Sequence, residues 1–171
     1  AQESAIGKAR TAILTGRSLR SILPLLSMEP LPEIWASHGR ENRRLNGAIL
    51  LKDPSENQIR GISMGVEACR SASGAFRLEE KPFSIALHVR GISDLSASKI
   101  LKEAQVVWRP IARAHDLEIL HFDGGIELRA AGWTKGDAVN ALLKDSPQDA
   151  AVAYLGDDET DEDAFKALGN S

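Results

Sequence analysis

The sequence predicts an α/β chain in which a parallel-sheet core is interrupted by an inserted α+β module. Three observations predict it. Apolar runs at residues 11–15 and 150–155 each stop at a glycine-containing polar turn and lead into helical spacing, which is half of an α/β unit. The second run is apolar throughout, as expected of a strand covered on both faces. Residues between them repeat the order helix, strand, strand twice, the pattern of a four-stranded sheet with two helices on one face. The core is therefore assigned to residues 1–53 and 131–171, and the module to residues 54–130.

The elements follow in order. Residues 11–15 are β-prone and stop at Gly16-Arg17. Residues 18–26 have helical spacing, with Ser18 as N-cap. The stretch from Met28 to Trp35 holds two prolines and reads as a connection. Asn46-Gly47, between residues 43–45 and 48–51, is a hairpin turn. A helix is expected over 55–72, with Ile59, Ile62, Val66 and Cys69 on one face and Gly74 ending it. Strands are expected at 75–80 and 83–89, joined at Lys81-Pro82. A second helix over 96–114 carries Ile100, Leu101, Ala104, Val107 and Trp108 near one face. Strands 117–122 and 125–129 turn at Asp123-Gly124. Thr134 caps a helix over 135–143. A last helix begins at Ala164.

Composition narrows the function classes. A chain of 171 residues, 43% hydrophobic and 26% charged, can bury a core and is not a disordered tail. No run of about 18 apolar residues occurs, so no membrane-spanning helix is expected. The net charge is −3, which disfavours a nucleic-acid partner. Cys69 is the only cysteine. It leaves no intramolecular disulfide or multi-cysteine zinc site, which fits a reducing, cytoplasmic location. The N-terminus has neither an initiator Met nor the apolar core of a signal peptide.

Four constellations carry chemistry. Six of the seven residues from Asp157 to Asp163 are acidic. A solvated charged loop is the ordinary reading of such a run. Here it follows an apolar strand, where open α/β sheets bind ligands, and stacked carboxylates repel unless a cation offsets them. Hard oxygen ligands suit Mg2+. Asp157 comes first after the strand, and Asp161, one turn later, reaches the same cation directly or through water. Thr15 sets a hydroxyl at a strand end beside the Gly16 amide and a helix start, a seat for phosphate; a plain turn explains it equally. Lys135 lies in the first turn of a helix, where a cation opposes the macrodipole; a bound phosphate would account for it, as would simple solvation. In the module, His88 and Arg90 share a face of an alternating strand with Lys81 nearby and Glu127 on a neighbouring strand. That set suits sugar hydroxyls or phosphate, or is an exposed polar sheet face. His38 sits in a loop with no evident partner.

The order of these motifs resembles the haloacid dehalogenase superfamily of phosphotransferases. Gly156-Asp-Asp-Glu-Thr-Asp-Glu-Asp-Ala-Phe165 is similar to the signature of trehalose-6-phosphate phosphatases. Residues 13–18, 37–41, 81–90 and 126–136 agree with that family in order and spacing. The resemblance implies a haloacid-dehalogenase-like Rossmannoid core with an inserted α+β cap. It implies hydrolysis of trehalose 6-phosphate to trehalose and phosphate through an aspartyl-phosphate, with Mg2+ as cofactor. It gives Thr15 and Lys135 catalytic roles, Asp157 and Asp161 the metal, and Gly16, Arg17, His38, Glu41, Lys81, His88, Arg90 and Glu127 the substrate. The chain departs from the family at Val89, usually Tyr, and at Ala130, usually Pro. It also has no Asp-x-Asp-Gly-Thr motif, which holds the family's nucleophile. The 171 residues are therefore expected to be part of a longer protein and to be inactive alone. The alternatives are a phosphatase for another glycosyl phosphate, such as glucosylglycerol phosphate, or a non-catalytic sugar-phosphate-binding domain. The expected partner is a small sugar phosphate, with no nucleic acid or membrane, and the default oligomeric state is a monomer.

Overall fold

The computed structural model, which describes residues 9–70 and 76–169, resolves into two units. One holds Ala1–Lys52 and Trp133–Ser171, the other Asp53–Gly132.

The first unit is built on a mixed four-stranded sheet. Strand β1 (Ala12–Leu14) runs parallel to β2 (Glu33–Ala36), and β3 (Glu41–Arg43) and β4 (Ile49–Leu51) continue antiparallel in the order β1-β2-β3-β4. The β3–β4 turn forms at Asn46-Gly47. Gly47 takes the left-handed φ of 83° that glycine tolerates, and the Asn46 side chain accepts the Ala48 N–H. Strand β2 lies where a connection was expected. Its Ile34 and Ala36 are fully buried and cluster with buried Leu19, so burial of the strand outweighs the turn tendency of Pro30 and Pro32.

Helix α1 spans only Leu19–Ile22 and tightens into one 3₁₀ turn, Leu23–Leu25, rather than running to residue 26. Pro24 explains the break, since it lacks an N–H and its ring clashes with the carbonyl four residues back in an α-helix. Helix α4 (Lys135–Lys144) begins as expected. Thr134 accepts from the Gly136 and Asp137 amides while Asp137 accepts from Thr134 N, a complete capping box. Helix α5 (Glu162–Gly169) follows a single 3₁₀ turn, Glu159–Asp161.

The expected strand at residues 150–155 does not form. This segment makes no ladder with any described strand, and Leu155 is 95% exposed. A run that is apolar throughout suits a strand covered on both faces, and here every residue of the segment except half-buried Tyr154 is exposed.

The second unit runs α2 (Glu56–Arg70), β5 (Arg77–Lys81), β6 (Ser84–His88), α3 (Asp94–His115), β7 (Leu117–Phe122) and β8 (Gly125–Ala130). Its sheet is antiparallel with order β5-β6-β8-β7. The expected helix end at Gly74 lies outside the described residues. One sheet face carries Ile85, Leu87, Ile126 and Leu128, packed with Val66, Cys69, Ala104 and Trp108 of the two helices. Burying each large side chain contributes about 1.5–3 kcal/mol. Gly65 sets the closeness of α2, because a Cβ there would lie 2.6 Å from Leu128 Cδ2. Ile59 and Val107, expected on the buried faces, are exposed.

Candidate functional site

In the first unit, the turns that follow β1 and β2 interlock. Thr15 Oγ1 accepts the Arg17 N–H at 3.1 Å, while the Thr15 carbonyl accepts from His38 N and the Arg17 carbonyl from Ser37 N. Ser37, His38 and Gly39 all have positive φ, of 48°, 58° and 100°. Two consecutive left-handed non-glycine residues cost about 1–3 kcal/mol each and cluster at functional sites. The His38 ring lies against Gly16, where an added Cβ would sit 2.8 Å from it. Gly16 therefore leaves room for the imidazole. Glu41 is buried, and its Oε2 accepts from Leu19 N at 3.0 Å and Ser37 Oγ at 2.6 Å. It caps α1 in place of Ser18, whose hydroxyl turns to Ser21.

The same turn meets α4, since a Cβ on Gly39 would touch the Thr134 carbonyl and Ala138. Beside it, Lys135 Nζ donates to Asp161 Oδ1 at 2.7 Å, with both side chains 5% exposed. Tyr154 OH also donates to that oxygen, and Asp158 N donates to Oδ2 at 2.9 Å. Burial would raise the Asp161 pKa, but the hydrogen bonds from Lys135, Tyr154 and Asp158 and the Lys135 charge outweigh it and hold it low. Burial, followed by the bond to Asp161 and the neighbouring carboxylate charges, pushes the Tyr154 phenol far up. Asp157, Asp158 and Asp161 present carboxylate oxygens within 4.8 Å of one another. Asp157 and Asp158 are exposed, and Asp157 forms no ion pair with a described residue. Three hard oxygen donors at this spacing fit a divalent cation such as Mg2+. Both Asp161 oxygens are already accepting, so Asp157 and Asp158 are the more available pair.

The second unit presents a polar sheet face opposite its core. Glu79, Lys81, Ser84, His88, Glu118, Glu127 and Arg129 all project there by strand register. Lys81 Nζ and Ser84 Oγ donate to Glu127 Oε1. His88 Nε2 lies 2.8 Å from Glu79 Oε2, and its ring meets Phe122 edge-on. The strand ends at His88, and Arg90 is an exposed residue paired with Asp123 at 2.7 Å. Lys81 and Glu127 are thus brought together, His88 stands further along the same face, and Arg90 lies at its rim.

The chain has counterparts among known proteins. A family model described as trehalose-phosphatase matches residues 7–171. The chain belongs to the trehalose-phosphatase family. A trehalose-phosphate phosphatase of Mycobacterium tuberculosis is 30% identical over 168 residues, covering 92% of this chain and 41% of that protein. The chain therefore spans less than half the length of this curated relative. Among solved structures, a trehalose-6-phosphate phosphatase related protein superposes with a TM-score of 0.69 at 25% identity, over 96% of this chain and 68% of the other. The C-terminal domain of a C. albicans trehalose-6-phosphate phosphatase gives 0.73 at 22% identity, over 98% and 62%. The haloacid-dehalogenase-like α/β fold expected from the sequence is thereby established for this trehalose-phosphatase family member.

Sequence reasoning missed Tyr154, which donates to Asp161, and the Glu118–Arg129 pair on the polar face. Tyr154 was read only as one residue of an apolar run. Arg129 had a usable signal, because it stands two residues after Glu127 on an alternating strand.

Proposed function

We propose that the chain is part of an Mg2+-dependent phosphatase that hydrolyses trehalose 6-phosphate to trehalose and phosphate through an aspartyl-phosphate, the attacking aspartate not being among these 171 residues. The observation that carries this reading is the buried Lys135–Asp161 pair set beside the exposed carboxylates of Asp157 and Asp158. Thr15 and the Gly16 amide bind phosphoryl oxygens. Lys135 spends one of its three N–H donors on Asp161 and keeps its charge for the phosphoryl group. Asp161 holds that ammonium in place, while Asp157 and Asp158 hold the cation. When bound, Mg2+ neutralises charge on the transferring phosphoryl group. Arg17 and His38 shape the phosphate turn, and Glu41 supports it by capping α1.

Lys81, His88 and Glu127, with Arg90 at the rim, read the glucose hydroxyls. The polar face mixes three carboxylates with cations, and sugar hydroxyls, which both donate and accept, suit such a face. No helix among the described residues is long and apolar enough to cross a membrane, and the free buried thiol of Cys69 agrees with a cytoplasmic location.

The test is phosphate release from trehalose 6-phosphate and a panel of other glycosyl phosphates by the full-length protein, with and without Mg2+. Metal-dependent release is expected, and Asp157→Ala should lower it at least ~100-fold. Wild-type-like turnover in that variant would refute the metal assignment. Preference for another sugar phosphate would replace the substrate, and tight sugar-phosphate binding without turnover would favour a regulatory domain.

A further inference from the structure

Arg129 lies on β8 with its side chain on the polar face of the second unit, directly across from Ser84 and two residues from Glu127. It is 6% exposed. Its Nε and Nη2 donate to Glu118 Oε2 at 3.2 and 2.9 Å. Its Nη1 is buried and meets no acceptor among the described residues. A guanidinium donor held out of water without a partner is costly, because the solvent bonds it gave up are not replaced. The described residues supply no acceptor that relieves that cost. Glu118 fixes the fork from one side, which leaves the other side pre-oriented.

We propose that Arg129 is a further specificity-determining residue, whose Nη1 donates to a hydroxyl oxygen of the sugar bound against the Lys81–Ser84–Glu127 row. This rests on the glycosyl phosphate reading above. A hydroxyl is the favoured acceptor rather than the phosphate, because Glu79, Glu118 and Glu127 share this face and repel a dianion. Arginine is suited to the position, since its planar fork serves Glu118 with one edge and keeps a second donor for the ligand. A site built to donate to a substrate hydroxyl discriminates strongly against analogues that lack it.

The experiment compares wild type, Arg129→Lys and Glu118→Gln of the full-length protein. KM and kcat are measured for trehalose 6-phosphate and for the other glycosyl phosphates that wild type hydrolyses, and thermal midpoints are recorded alongside. Lysine retains the charge beside Glu118 but has no second fork nitrogen. R129K should therefore raise KM at least about tenfold with a much smaller change in kcat. E118Q should raise KM by less, because the fork is held less firmly. A purely structural ion pair predicts that R129K behaves as wild type. That result, or equal losses in kcat and thermal midpoint with KM unmoved, overturns the assignment and leaves the phosphatase reading intact. A wild-type protein that hydrolyses none of the panel overturns both.

Discussion

Replacing Lys135 with Met removes the cation from an ion pair whose two side chains are each 5% exposed. At 2.7 Å and an effective dielectric near 20, the direct attraction is about 6 kcal/mol. Desolvation of both ions offsets much of that in the wild type, so the pair's net worth is smaller. The variant, however, leaves Asp161 buried and uncompensated, and breaking a buried pair from one side costs about 3–5 kcal/mol. Tyr154 and the Asp158 amide remain as donors to Asp161, which places the expected loss near the lower figure. Equilibrium urea unfolding of wild type, K135M, D161N and the double variant reads it directly. The double variant should lose less than the two single losses combined, because it no longer strands a charge. A K135M loss below about 1 kcal/mol, or simple additivity, would show that water reaches the pair and that Asp161 does not anchor the ammonium.

Two further outcomes follow from the buried carboxylates Glu41 and Glu33 of the first unit. Glu41→Ala should cost about 1–2 kcal/mol in unfolding free energy by removing the cap on Leu19 N, whereas Glu41→Gln, which keeps an acceptor, should cost less; an E41A protein of unchanged stability but raised KM would make Glu41 a ligand instead. Burial would raise the pKa of Glu33, but Arg10, Asn42 and Trp35 bring it below its ordinary 4.5. A carboxylate with a lowered folded pKa contributes stability that is complete above about pH 4.5 and is lost as the pH falls through the folded value. Urea midpoints measured at about pH 7 and pH 3 should therefore converge for wild type and Glu33→Gln at the acid end, and an equal gap at both would contradict the network.

The second unit was largely legible in the sequence because its signals are local. The spacing of Val66, Cys69, Ala104 and Trp108 announces two buried helix faces, and Asp123-Gly124 fixes the register of β7 and β8. The first unit was harder to read because its strands are three or four residues long and depend on distant partners. β2 was obscured by prolines that precede it, and its evidence, burial of Ile34 and Ala36 beneath α1, exists only in three dimensions. Residues 150–155 show the converse, since an apolar run predicts a strand only if neighbours are present to accept its ladder. At the candidate site, residue types and order single out Thr15, Lys135, Asp157 and Asp161 as candidates, but do not reveal that Asp161 spends its carboxylate on Lys135, Tyr154 and the Asp158 amide. Such sharing is set by side-chain reach across separate segments, which spacing does not encode.

The contact between Gly16 and the His38 imidazole ties two positions in separate loops to a common fate. A methyl group at position 16 occupies space that the ring already fills, with Cε1 and Nε2 each 2.8 Å away, and the ring is carried on a left-handed backbone with little freedom to retreat. Neither site is therefore free to drift alone. Among descendants of this sequence, a bulkier residue at 16 should be accompanied by a smaller one at 38, so that the two columns change in step.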